Sequence, residues 1–220
     1  MPPDVDALLD DLVAETADLD DVLRRGGEPL GRVLSRPTPA AGWSVHDAIG
    51  HLEFFDREAT TALLDPERFV AGLASLGLDV EAFMAAALDS ARELGADVVR
   101  RLHESRAVMV EALRQADPAV RVPWYGPPMS PASFATARLM ETWAHGQDVA
   151  DALGVRRTPT ARLRHVAHLG VRTQAFSFVV RGLEPPAAEV RVELDAPDGD
   201  RWTWVGDRAA PALLRRAGRR

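Results

Sequence analysis

Residues 130–154 read SPASFATARLMETWAHGQDVADALG, and the way this stretch folds decides what the rest of the chain has to do. Ser130 followed by Pro131 supplies an N-cap and a proline at the first helical position, and Gly154 supplies the stop, so the pattern predicts one helix between them. Phe134, Leu139, Met140, Trp143, Val149 and Leu153 give that helix its apolar surface. Arg138, Glu141, His145, Asp148 and Ala152 follow one another at spacings of three and four, which places them on a single polar stripe. The stripe has two readings. If it faces solvent, Arg138 pairs with Glu141, His145 is a surface imidazole, and the whole contributes a few tenths of a kcal/mol, roughly. If it faces a partner helix, Glu141 and His145 are donors one turn apart in a bundle interior.

Other helices are legible around it. Val5, Leu8, Leu9, Leu12, Leu19, Val22 and Leu23 recur at helical spacing through residues 4–24, with Gly26 and Gly27 as the stop. GWSVHDAIGHLEFFDREATTALL predicts a second helix to about Leu64, with Ser44 as N-cap and Asp47 at the N3 position of a capping box. Residues 80–115 read as a third long helix, with Gly95 as a point of kinking or weakness. VPWYGPPMSP at 122–131 carries four prolines and a glycine, which excludes a helix and predicts a stiff loop. A further helix is expected over 160–182, then a β-hairpin turning at Pro197-Asp198-Gly199. The predicted fold is mainly α, a four-helix bundle over 1–155 followed by a partial α+β segment over 156–220. That segment is expected to be short, since a lone hairpin is marginal and DRAAPALLRRAGRR offers a short helix or basic tail but no further strand.

Composition narrows the function. The chain has 220 residues, 46% hydrophobic and 27% charged, which suits a folded globular protein. A net charge of −7 argues against a protein-wide nucleic-acid surface, because phosphate binding wants a concentrated positive face. With no apolar run near 18 residues and no leader pattern, no membrane partner is expected and a cytoplasmic location is the default. There is no cysteine, so any metal must be held by His, Asp or Glu, and any thiol chemistry needs a thiol from outside the chain.

A third donor changes the weight of the two readings. His51 lies in IGHLEFF, flanked by Ile49, Leu52, Phe54 and Phe55, a strongly apolar neighbourhood where a histidine is either a satisfied core residue or an internal ligand. Two imidazoles and a carboxylate from facing helices make a three-ligand set with open positions, the pattern of a catalytic rather than a structural zinc site. The bland reading explains each residue singly; the metal reading explains His51, Glu141 and His145 together. The remaining histidines add less. His165 and His168 lack a carboxylate in register and have Arg164 and Arg172 beside them, His46 sits beside the N-cap, and His103 lies among Arg100, Arg101 and Glu104.

WSVHDAIGHLEFFD at 43–56 and ETWAHGQDVADALG at 141–154 together resemble the mycothiol-dependent maleylpyruvate isomerase family, a branch of the DinB-like metal-binding four-helix bundles. The resemblance runs from the first helix to about Trp204. The loop and helix VPWYGPPMSPASFATARLMETW is similar to a branch of that family known only as metal-binding. The resemblance implies that His51, Glu141 and His145 hold a divalent metal, usually zinc. It also implies a low-molecular-weight thiol cofactor, mycothiol or similar, and an electrophilic small-molecule substrate. In the isomerase, the thiolate adds to the activated double bond of maleylpyruvate, the bond rotates, and the thiolate leaves to give fumarylpyruvate; relatives act as thiol S-transferases.

Within that frame Asp148, one turn beyond His145, is the expected catalytic proton acceptor or ligand-orienting group. Arg138 is expected to pair with Glu141 or to hold a substrate carboxylate, and Trp43, Trp124 and Tyr125 either to serve packing or to line the pocket mouth for the cofactor. After Val205 the sequence departs from the family's C-terminal pattern, which bears on substrate recognition more than on the metal ligands. Two functions therefore compete: a metal- and thiol-dependent isomerase or S-transferase, and a metal-binding bundle that senses, carries or docks without turnover.

Overall fold

Polar residues alternate with apolar ones at a period of three to four through most of the chain, and the resulting faces have to be covered by other helices. The computed structural model describes residues 4–75 and 80–205. The chain divides into two compact units, Met1–Arg157 and Thr158–Arg220.

The first unit is a four-helix bundle with smaller helices attached. Its long members are α1 (Val5–Arg25), α3 (Val45–Leu64), α6 (Val98–Gln115) and α7 (Pro131–Leu153), joined by the short α2 (Leu30–Leu34), α4 (Pro66–Ser75) and α5 (Val80–Arg92). Helix α3 packs chiefly on α6, and α1 on α7, with α3 also against α7. Leu19, Val22, Val33, Val45, Ile49, Leu52, Val98, Leu102 and Val149 form a continuous buried cluster among them. Each such side chain removed from water contributes about 1.5–3 kcal/mol before the cost of ordering it.

Local signals set the helix ends. Ser44 caps α3 through a full capping box: its hydroxyl accepts from the Asp47 amide at 3.2 Å, and the Asp47 carboxylate accepts from the Ser44 amide at 2.8 Å. Ser130 caps α7, with Pro131 in its first turn and Gly154 closing it in the left-handed conformation at φ 65°. Only glycine enters that region without strain. Gly50 has a different task. A Cβ built on it would stand 2.4 Å from the Ala91 Cβ, so its bare backbone is what lets α5 lie against α3.

The long helix expected over 80–115 is broken. Helix α5 ends at Arg92, residues 95–97 form one 3-10 turn, and α6 begins at Val98. Gly95 sits at φ 54°, outside the helical region, so it interrupts the helix instead of merely bending it, and α5 and α6 each pack on α3.

The second unit contains α8 (Leu163–Val179) and one antiparallel pair, β1 (Arg191–Asp195) with β2 (Arg201–Val205), in the register Arg191 to Val205 and Asp195 to Arg201. Gly199 at φ 90° lies in the connecting turn. The Trp204 indole donates to His168 Nδ1 at 3.2 Å, tying β2 to α8. No α8 residue is fully buried. The helix or basic tail expected at the C-terminus falls outside the described residues.

Candidate metal centre

Helices α3 and α7 bring His51, Glu141 and His145 together. Their donor atoms all lie within 4.8 Å of one another, and this is the one such His/Asp/Glu group of three among the described residues. Glu141 Oε2 is 3.4 Å from His51 Nε2 and 3.4 Å from His145 Nε2. Ligands about 2.1 Å from a common tetrahedral ion stand about 3.4 Å apart, so these two separations suit one small divalent cation. The side chains are 11% exposed for His51 and 16% for His145 but 32% for Glu141, so the group opens on the carboxylate side.

The rings around it are dense. Trp43 stacks on His145, with centroids 5.4 Å apart and planes 12° from parallel, and meets His51 at 5.2 Å. Phe55 covers the other side of His51 at 4.6 Å. Burial pushes His51 below its ordinary pKa, against its contact with Glu141 and with help from the neighbouring His145, which favours the neutral imidazole a metal requires. Burial would raise Glu141, but hydrogen bonds from His145 and His51 and the charge of Arg138 outweigh it and hold the carboxyl below the usual range. His51 Nδ1 is buried with no hydrogen-bond partner among the described residues.

The donor set fits a divalent metal: two imidazole nitrogens and one anionic oxygen, brought within 4.8 Å of one another by two helices. Asp148 Oδ2 lies 3.3 Å from His145 Nδ1, near enough for attraction but not aligned as a hydrogen bond. With a metal bound, a carboxylate there would favour the tautomer with the proton on Nδ1, freeing the Nε2 lone pair to ligate in place of its contact with Glu141.

Arg138 does not do what its spacing suggested. It is 4% exposed. Its Nε donates to Asp56 Oδ1 at 3.1 Å, and its Nη2 lies 3.0 Å from the same oxygen and 3.3 Å from the Leu52 carbonyl. The expected pair with Glu141 is replaced by this buried contact, and the guanidinium has no open face for a substrate carboxylate. A carboxylate on α3 at the right level outcompetes one a turn away on the same helix, because it is fully dehydrated.

Of the three aromatic residues, the structure brings Trp43 to the trio and the other two to a neighbouring aromatic wall. Trp124 stacks on Phe69 at 5.5 Å and meets Phe134 edge-on at 4.7 Å. Tyr125 donates to Glu58 Oε2 at 2.7 Å, and burial together with that bond raises its phenol well above the usual range. Tyr125 also lines an open groove of about 280 Å³ with Phe54, Phe69 and Phe83. Phe55 is the link, touching both His51 and Tyr125.

Sequence reasoning missed the buried polar group to which Arg138 belongs, made of Thr16, Asp56, Arg106, Arg138 and Thr142. The signal was present. Arg106 occupies the apolar row Leu102, Met109, Leu113, as Asp56 does in Ile49, Leu52, Ala59, and Thr16 in Leu12, Leu19, Leu23. A second missed contact pins the end of α7. Arg157 pairs with buried Glu15 and donates to the Trp143 carbonyl at 3.0 Å, while a Cβ on Gly146 would come within 3.3 Å of its guanidinium. The glycine after His145 therefore makes room for that arginine. The other histidines are otherwise engaged: His46 Nε2 meets the Gly95 carbonyl at 2.9 Å, His103 meets Asp20 at 3.0 Å, and His168 accepts from Trp204.

Fold and site thus define a DinB-like four-helix bundle with an inward His/Glu/His donor set. Residues 12–150 match the mycothiol maleylpyruvate isomerase N-terminal domain, and the chain belongs to that family. Two uncharacterized proteins of Mycobacterium tuberculosis, from strains CDC 1551 / Oshkosh and H37Rv, are each 45% identical to it over 204 residues, covering 91% of this chain and 77% of the relative. Among solved structures, the mycothiol-dependent maleylpyruvate isomerase matches with a TM-score of 0.60 at 19% identity, over 90% of this chain and 79% of that one. A histidine-to-alanine mutant of that isomerase matches at 0.59 and 18%. No described helix is long and apolar enough to cross a membrane.

Proposed function

We propose that this protein holds one divalent metal ion, zinc by donor chemistry, on His51, Glu141 and His145, and uses a low-molecular-weight thiol such as mycothiol as cofactor in an isomerase or S-transferase reaction. The observation that carries the reading is the convergence of three donors from two helices within 4.8 Å, with Glu141 equidistant from both imidazoles. When bound, such an ion favours the thiolate form of a nearby thiol at neutral pH. The chain has no cysteine, so the nucleophilic sulfur comes with the cofactor.

The residues divide the remaining work. Trp43 and Phe55 exclude water from the two imidazoles and fix their planes. Asp148 holds the His145 proton on Nδ1 and is the nearby carboxylate able to accept the proton an incoming thiol gives up. In an isomerase the thiolate carbon–sulfur bond forms and breaks on the same electrophile, so the proton stays on the enzyme through the cycle. In an S-transferase the bond persists and the proton passes to the product.

One observation favours a second reading, a bundle that binds metal to sense, carry or dock without turnover. Arg138, expected either to pair with Glu141 or to hold a substrate carboxylate, is committed to Asp56. Calorimetric titration of the metal-loaded protein with mycothiol separates the two: saturable binding that is lost in His51→Ala supports the enzyme, and absence of thiol binding to a metal-loaded protein supports the second.

A further inference from the structure

The buried group of Thr16, Asp56, Arg106, Arg138 and Thr142 takes members from α1, α3, α6 and α7, the four long helices of the bundle. Asp56 Oδ2 accepts from Arg106 Nε at 2.5 Å, and Oδ1 accepts from Arg138. Arg106 Nη1 donates to Thr16 Oγ1 and to Thr142 Oγ1, both at 2.9 Å. The Thr142 hydroxyl in turn donates to the Arg138 carbonyl at 2.8 Å. Two guanidinium groups share one carboxylate, and Arg106 Nη2 has no hydrogen-bond partner among the described residues. As simple adhesive this is a poor choice, since apolar side chains of similar volume often hold a core together as well or better.

What singles the group out is where it grips. Arg138 Nη2 reaches the carbonyl of Leu52, the residue after His51, and Arg106 holds the hydroxyl of Thr142, the residue after Glu141. We propose that Asp56, Arg106, Arg138 and Thr142 are positioning residues for the metal ligands: they lock the rotation of α3 and the height of α7 at the points where His51 and Glu141 leave the backbone. This rests on the metal reading above. A ligand set must be held to within about 0.5 Å to bind well, and setting register is the best-attested use of a buried polar group, whose directional bonds must all be met at once. The group touches neither metal nor substrate; it acts through the backbone.

Replacing Asp56 strands two buried guanidinium groups and endangers folding, so the test uses Thr142. Thr142→Val removes the hydroxyl with little change in shape, Thr142→Ser restores it, and Thr16→Val removes the equivalent partner on α1, which carries no ligand. Cobalt(II) affinity by visible absorption and the imidazole NMR signals of the metal-free protein are measured for each, with the melting temperature alongside. Thr142→Val is expected to lose about tenfold in cobalt affinity and to shift the His51 and His145 signals, Thr142→Ser to return both toward wild type, and Thr16→Val to lower the melting temperature while leaving both in place. Equal effects of the two valine variants, or no effect of either on both readouts, would overturn the proposal. A wild-type protein that binds no cobalt would sink the metal reading itself, while the metal-free imidazole signals still decide whether the group sets the rings.

Discussion

Glu141 is the residue on which the site turns, because it is the one anion of the trio and its Oε2 lies 3.4 Å from both imidazole nitrogens, while the two rings meet each other edge-on at 4.7 Å. Removing it leaves two imidazoles with no anion, and removing His51 leaves a pair on one helix. Either Glu141→Ala or His51→Ala is expected to abolish stoichiometric metal binding, measured by elemental analysis after gel filtration, with the far-UV circular dichroism unchanged. Asp148 lies one contact further out, 3.3 Å from His145 Nδ1, where the proposal gives it the role of orienting that ring. Asp148→Asn should weaken metal binding about 10-fold to 100-fold, the usual effect of losing a ligand's outer partner, and competition with a chromophoric chelator reads that directly. At this scale the sequence spoke unevenly. Spacing put Glu141, His145 and Asp148 on one stripe, and an apolar neighbourhood marked His51. Nothing in the spacing of α7 alone said that Arg138 would turn away toward Asp56, because its partner sits 82 residues earlier.

Elements were legible where their ends carry chemical signals. Ser44 with Asp47, and Ser130-Pro131 with Gly154, marked α3 and α7. The break between α5 and α6 was not, since one glycine reads the same in a bent helix and in a left-handed turn until tertiary contacts choose. The α3 cap makes a pH prediction. Burial would raise Asp47, but the Ser44 amide, Arg92 and the Ser44 hydroxyl outweigh it and hold its carboxyl below the ordinary 3.8. A group depressed in the folded state contributes stability above its unfolded value, and that contribution fades as pH falls below about 4. Asp47→Asn should therefore cost about 1–2 kcal/mol at pH 7 and progressively less as pH falls below about 4 in urea denaturation. Close packing makes another. Gly50→Ala places a methyl against Ala91 and should cost about 1–3 kcal/mol; Ala91→Gly in the same chain should recover most of it, since the clash is with that one side chain.

For the molecule as a whole, the four-helix bundle and the C-terminal helix with its hairpin were readable from periodicity and turn residues. The members of the buried polar group stood out singly, as polar residues in apolar rows, but which of them pair was not readable because four helices must assemble before they meet. The absence of cysteine and the net charge of −7 pointed away from thiolate ligands and nucleic acid before any contact was known. If the bundle carries its metal as proposed, saturating ion at about a hundred times the dissociation constant should add about 2.7 kcal/mol to stability, and chelation should remove it. The most direct test is the metal content of the purified protein beside its His51→Ala and Glu141→Ala variants. The account predicts one divalent ion per wild-type chain and none in either variant. A folded wild-type protein without stoichiometric metal, or variants that keep it, would contradict it.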